Sequence, residues 1–136
     1  MTKVAVEIDS VRHGLWRNVW AVILKDRATG RYLPIFIGPT QAEVIQGQLS
    51  NDCQSFPLNY YLSSVGIDTA RSELVSVTID RFQDNAFSAK LLLSYDDKLI
   101  EIDHPPTKSI ALALREGAPI FVEEGVLAEA AIRVSE

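Results

Sequence analysis

Val4, Val6 and Ile8 alternate with Ala5, Glu7 and Asp9, the period-two pattern of a half-buried strand. Residues 19–24 are too apolar to face water on either side and read as a second strand. Asp26-Arg27-Ala28-Thr29-Gly30 is a hairpin loop, with Gly30 suited to the positive φ that closes it. Tyr32 to Ile37 returns as a third strand. Pro39 then opens a helix, where its missing amide hydrogen costs nothing. Ala42, Val44, Ile45 and Leu49 form its apolar stripe. A loop over 51–57 leads to a short helix over about 58–66, which Gly66 ends. Alternation then resumes: Val75, Val77 and Ile79 against Ser76, Thr78 and Asp80. Asp84-Asn85 turns into a strand from Phe87 to Leu93, and Asp96-Asp97 turns into one from Leu99 to Ile102. A helix over 107–115 follows, apolar nearly all round at Ile110 to Leu114, so it should be more deeply buried than the first. Residues 119–122 read as a short buried strand, 126–131 as a helical turn or two, and 132–134 as a last strand.

The pattern repeats. RYLPIFIGPTQAEVI at 31–45 and KLIEIDHPPTKSIAL at 98–112 each run from strand through Pro-Thr into a helix. Pro39-Thr40 answers to Pro106-Thr107, and Glu7-Ile8-Asp9 answers to Thr78-Ile79-Asp80. This predicts an internal duplication of strand–strand–strand–helix units, over about 3–50 and 74–116. The fold class is α+β: one domain over 1–136, with antiparallel or mixed sheets and helices packed on them. A chain of 136 residues buries roughly two-thirds of its unfolded surface, enough for a core.

A net charge of −5 argues against gripping nucleic acid by overall charge, since phosphate neutralisation dominates that affinity. Local basic clusters remain: Arg12, His13 and Arg17, and the hairpin's Lys25, Arg27 and Arg31, all read as solvated turn charges. One cysteine, Cys53, excludes an internal disulfide and any cysteine–histidine ligand set, which suits a reducing cytoplasm. The N-terminus alternates and carries early charge, so it reads as a strand and not a signal peptide. No apolar run approaches a membrane span.

Chemistry concentrates at the helix starts, whose free N–H groups can hold an anion. Thr40 and Thr107 place hydroxyls there, and Lys108 adds a cation to the second. The plainer role for either threonine is an N-cap. Asp9, Asp80 and Asp103 are carboxylates at strand ends that could share Mg²⁺, although nothing in their spacing brings them together. His104, beside the second helix start, is a base candidate or an exposed loop histidine. Tyr60, Tyr61, Trp16 and Trp20 are either stacking platforms for bases or core and interface aromatics.

Taken in order, LPIFIG at 33–38, DNAFSA at 84–89, Ile102-Asp103-His104-Pro105-Pro106 and IALALREGAPIFV at 110–122 resemble the bifunctional nuclease family. The resemblance spans nearly the whole chain. It implies a small α+β domain, a homodimer, hydrolysis of DNA and RNA, and a divalent ion, Mg or Mn, as cofactor. The family pattern Arg-Pro-Leu-Thr-His-Asp is Phe56-Pro57-Leu58-Asn59-Tyr60-Tyr61 in this chain. The pattern Asp-x-Arg-Pro-Ser-Asp-Ala is Asp103-His104-Pro105-Pro106-Thr107-Lys108-Ser109, with the second Asp reversed to Lys108. The resemblance implies Asp103 and Thr107 as catalytic residues, Asp103 as metal ligand and Thr107 or Lys108 as phosphate contacts; the reading of the residues themselves adds His104 as a catalytic base candidate and Thr40, Tyr60 and Tyr61 as candidate nucleic-acid contacts. Two readings stand: a nuclease, and a non-catalytic binding or protein-interaction module on the same fold.

Overall fold

The computed structural model describes residues 2–14, 19–50 and 72–133. The first half is a three-stranded antiparallel meander, β1 (Lys3–His13), β2 (Trp20–Asp26) and β3 (Arg31–Ile37), followed by helix α1 (Pro39–Ser50). The second repeats that order with β4 (Ser72–Gln83), β5 (Ala86–Tyr95), β6 (Lys98–His104) and helix α2 (Pro106–Glu116). Then come β7 (Ile120–Glu123), the short helix α3 (Glu124–Ala130) and β8 (Ile132–Arg133). The predicted linking helix over 58–66, with Cys53, Trp16 and Arg17, lies outside the described residues.

The strands form one mixed sheet in the order β6-β5-β4-β7-β1-β2-β3-β8. β7 joins the halves, running parallel to β4 and antiparallel to β1. The α+β class therefore holds. Both two-residue turns are built as the pattern predicts. Asp84 and Asn85 have φ of 54° and 62°, and Asp96 and Asp97 have 52° and 65°. Positive φ at both central positions matches the right-handed twist of the flanking strands, and Asp and Asn tolerate it.

Leu24, Leu33, Ile35, Ile45, Ile79, Leu91, Ile110 and Leu112 are among the fully buried side chains of a single core cluster. β2 to β5, α1 and α2 all contribute to it. α2 buries five consecutive residues, Ser109 to Ala113, and is the more deeply set helix, as its composition requires. Gly117 ends it at φ 69°, and the next amide, of Ala118, donates back to the Ala113 carbonyl at 2.9 Å.

The ladders refine the repeat. Ile37 and His104 each end a strand two residues before the helix proline, and they face Trp20 and Ala89 respectively. Across the next ladder those residues face His13 and Ile79. Four residues further along β2 and β5, Leu24 faces Ile8 and Leu93 faces Leu74, and in both halves the register breaks at the next residue. The bulges at Asp9 and Val75 are therefore counterparts. Asp80, bulged out of a second break in β4 between Ile79 and Arg81, corresponds to Gly14. The sequence match of Glu7-Ile8-Asp9 with Thr78-Ile79-Asp80 is thus not the structural one.

Of the hairpin cations, Arg27 is a solvated turn charge, 77% exposed, whereas Arg31 is not. Arg27 pairs with Glu7, and Lys25 lies 5.3 Å from the centre of the Tyr32 ring. Arg31, largely buried, makes two 2.8 Å bonds to Glu124 and one of 3.2 Å to Asp26, tying the hairpin to α3. Asp26 also accepts from the Thr29 hydroxyl at 2.5 Å and the Ala28 amide at 3.0 Å. The Thr29 bond first, then Arg31 and the Ala28 amide, hold its carboxyl below the ordinary range against the opposing effect of burial. The Arg31 bonds do the same for Glu124.

Candidate functional site

A cleft of about 500 Å³ opens where β4, β5 and β6 meet the start of α2. Its lining includes Asp80, Arg81, Lys90, Asp103, His104 and Pro106. Three pieces of local structure build it. The β4 bulge places Asp80 and Arg81 side by side opposite Ser88, which strict alternation would forbid. The β5–β6 ladder sets Lys90 directly opposite Asp103, an opposite-charge cross-strand pair. The strand-to-helix corner brings His104, Pro105 and Pro106 to one end.

Asp80 is the least satisfied group of the cleft. Its Oδ2 lies 3.8 Å from Lys90 Nζ, and its Oδ1 is buried with no hydrogen-bond partner among the described residues. A buried polar atom in that condition is uncommon, and an ion or ligand site is one reason to retain it.

Asp103 and His104 are adjacent in sequence but face opposite sides of the sheet. His104 follows Ile100 and Ile102 on the side that packs against the helices and is only 6% exposed, whereas Asp103 is exposed. His104 is therefore not an exposed loop histidine. Its Nδ1 lies 2.8 Å from Ser109 Oγ on α2.

Both helices begin at their prolines, but the threonines do not cap them. The N-cap of α2 is Pro105, with no side-chain capping bond, so Thr107 sits inside the first turn. Thr107 and Lys108 are half-buried and lie beyond the prolines, outside the cleft lining. Thr40 is exposed at the other helix start. Asp9 is in the first half, where its Oδ2 accepts from Ser10 Oγ at 3.0 Å. Of the three aspartates the structure thus brings together two, Asp80 and Asp103. Trp20 is stacked on His13, with ring centroids 4.2 Å apart. Tyr60 and Tyr61 lie outside the described residues.

Sequence reasoning named Asp103 and His104 for this site and missed Arg81, Lys90 and Ser109. Lys90 is one lysine in an apolar strand, and its partner is fixed only by the ladder. Among the described residues no three His, Cys, Asp or Glu side chains are grouped to hold a metal. No described helix is long and apolar enough to cross a membrane.

The family model of the bifunctional nuclease domain matches residues 22–135. The uncharacterized protein Rv1829 of Mycobacterium tuberculosis strain ATCC 25618 / H37Rv is 32% identical over 131 residues, covering 96% of this chain and 78% of that protein. The uncharacterized protein MT1877 of strain CDC 1551 / Oshkosh matches with the same identity and coverage.

Proposed function

We propose, on the premise that this chain belongs to the bifunctional nuclease domain family, that the β4–β5–β6 cleft hydrolyses phosphodiester bonds in DNA or RNA. The observation that carries this reading is the meeting of Asp80 and Asp103 with Arg81 and Lys90 in one concave site. Phosphodiester hydrolysis needs positive charge against the phosphate and an activated water. The cleft offers cations for the first and carboxylates for the second.

The residues present fit a divalent cation, Mg or Mn. Both ions favour hard oxygen donors, and Mg²⁺ is often held by only one or two carboxylates with waters completing the shell. The unpartnered Oδ1 of Asp80 is a donor with no other bond among the described residues. Asp80 and Asp103 would hold the ion, which when bound supplies charge neutralisation and a more acidic water. Lys90 and Arg81 then bind the scissile phosphate. Thr107 and Lys108, on the first turn of α2, contact the backbone beyond it, with Thr40, Tyr60 and Tyr61 as contacts for the rest of the strand. His104, at the strand-to-helix corner of the cleft, is the candidate base. With the chain at −5 overall, binding relies on these local cations and falls steeply with salt. The working unit in this reading is a cytoplasmic homodimer. Phe36, 70% exposed, and Ile132, 54% exposed, supply apolar surface for its contact.

One observation favours the second reading, a non-catalytic binding module. Lys90 already faces Asp80 and stands opposite Asp103, so the carboxylates have a resident counter-cation. Cleavage of single- and double-stranded DNA and RNA, with Mg²⁺ or Mn²⁺ and with chelator, separates the two. The nuclease reading expects metal-dependent cleavage that Asp103→Ala abolishes. Binding of a labelled oligonucleotide without cleavage in either metal selects the module. Cleavage unaffected by Asp103→Ala removes this cleft from the reaction.

A further inference from the structure

The distances around Ser109 Oγ point to one arrangement of protons in its contact with His104. Ser109 is fully buried, and its Oγ lies 2.7 Å from the carbonyl oxygen of Pro105, one turn back on the chain. That carbonyl also accepts the Ser109 amide at 3.0 Å, and the shorter contact from Oγ makes the hydroxyl its second donor. The same Oγ lies 2.8 Å from His104 Nδ1. With its proton spent, Oγ can only accept there, so Nδ1 must carry the hydrogen. The lone pair of the neutral ring is then on Nε2.

We infer that Ser109 is the positioning residue of His104: the Pro105 carbonyl orients the Ser109 hydroxyl, and that hydroxyl locks the cleft-lining imidazole in its Nδ1–H tautomer. The lock is built into the sheet-to-helix corner. β6 delivers His104 opposite Ala89 with 6% exposure, and α2 delivers Ser109 five residues later. A neutral imidazole in water favours the other tautomer, with the hydrogen on Nε2, so the protein must hold this one in place. The consequence is that His104 presents an acceptor, not a donor, from Nε2 to whatever it meets. That use in catalysis rests on the hydrolytic reading above, but the tautomer does not.

The test is nitrogen-15 NMR of the imidazole rings. The chain has two histidines, so His13→Gln assigns the spectrum. The wild-type chain should show His104 with a protonated Nδ1 and an unprotonated Nε2. Ser109→Ala adds no volume and suits a helix, and it should shift His104 toward the Nε2–H form. Finding Nε2–H in the wild type overturns the inference, as does an unchanged spectrum in Ser109→Ala. Where the chain cleaves nucleic acid, Ser109→Ala should lower kcat about ten-fold with KM unchanged, the order expected when an orienting partner of a histidine is lost. A locked tautomer with no cleavage by the wild type leaves the positioning role standing and refutes the nuclease.

Discussion

Asp80→Asn should make the protein more stable and less active. The Asp80 side chain is 19% exposed, and its buried Oδ1 has no hydrogen-bond partner among the described residues. Leaving a buried acceptor unsatisfied costs about 1–3 kcal/mol, and more when it is charged. Against this stands one ion pair at 3.8 Å to Lys90, which is 40% exposed. Water screens such a pair, and its contribution is about 0–1 kcal/mol. Asn keeps an unpartnered polar atom at that position but carries no charge, so only the extra cost of the charge is relieved, and the change should stabilise the fold by about 1 kcal/mol at most. For a chain of this length that raises Tm by at most about 3–5 °C. Asp9→Asn is the control. Asp9 is exposed and bonded to Ser10, and its change should stay within about 0.5 kcal/mol. Urea midpoints and thermal melts measure stability, and metal-dependent cleavage measures activity. Stabilisation together with lost cleavage is the trade-off expected of a functional carboxylate held at a cost to the fold. An Asp80→Asn protein that melts lower than wild type would refute the reasoning, because Asp80 would then be a structural ion-pair partner.

Lys90→Ala should weaken oligonucleotide binding and reduce the slope of log affinity against log salt by about one, as expected for a single phosphate contact; anisotropy titrations at several salt concentrations measure it. Asp26 is held below the ordinary carboxyl range by Thr29 and Arg31, so its stabilisation is complete above its unfolded value near 3.8 and is lost as pH falls through its folded value. Urea midpoints from pH 7 down to about pH 2.5 should therefore fall on the acid side, and Asp26→Asn should flatten that limb while lowering the neutral plateau. Gly117→Ala should cost about 1 kcal/mol in chemical denaturation: the added Cβ meets nothing within 4 Å, so only the left-handed φ of 69° opposes it. Leu91→Ala, which empties part of the fully buried core, should cost about 3 kcal/mol in the same assay.

What was legible in the sequence was local. The turns at Asp84-Asn85 and Asp96-Asp97 follow from side chains that tolerate positive φ. The helix starts at Pro39 and Pro106 and the stop at Gly117 follow from the same kind of rule. What was not legible depends on register and long-range pairing. A β-bulge shifts which residues share a face, and no composition signal separates the break at Val75 from the one that places Asp80 in the cleft. β7 inserts between β4 and β1, a non-local pairing that periodicity cannot show. Arg31 looks like any turn cation until Glu124 arrives from 93 residues away. Thr107 looks like an N-cap until Pro105 takes that position. Asp103 and His104 could be named as candidates because both sit at the strand-to-helix corner that the Pro-Thr repeat marks. Asp80 and Lys90 reach that corner only through the ladders.

Those ladders also explain why the candidate site lies in one half of the molecule. Carrying the correspondence of Ile37 with His104 through both meanders sets Asp80 against Gly14, Lys90 against Ala21 and Asp103 against Phe36. The backbone of the two halves follows the same order of strands and shares one bulge, and the second half adds the break at Asp80. Side chains separate the halves further. At the three positions where the second half holds two carboxylates and an ammonium, the first holds no charge and ends in an exposed phenylalanine. Charged groups facing a cleft favour a polar ligand and disfavour burial against another protein, because desolvating them costs free energy. An exposed aromatic has the opposite preference, since covering it removes apolar surface from water. The same fold thus supplies one face suited to a phosphate-bearing ligand and another suited to a protein contact. Substitutions at Lys90 or Asp103 should alter ligand binding without altering oligomeric state, and Phe36→Asp should do the reverse.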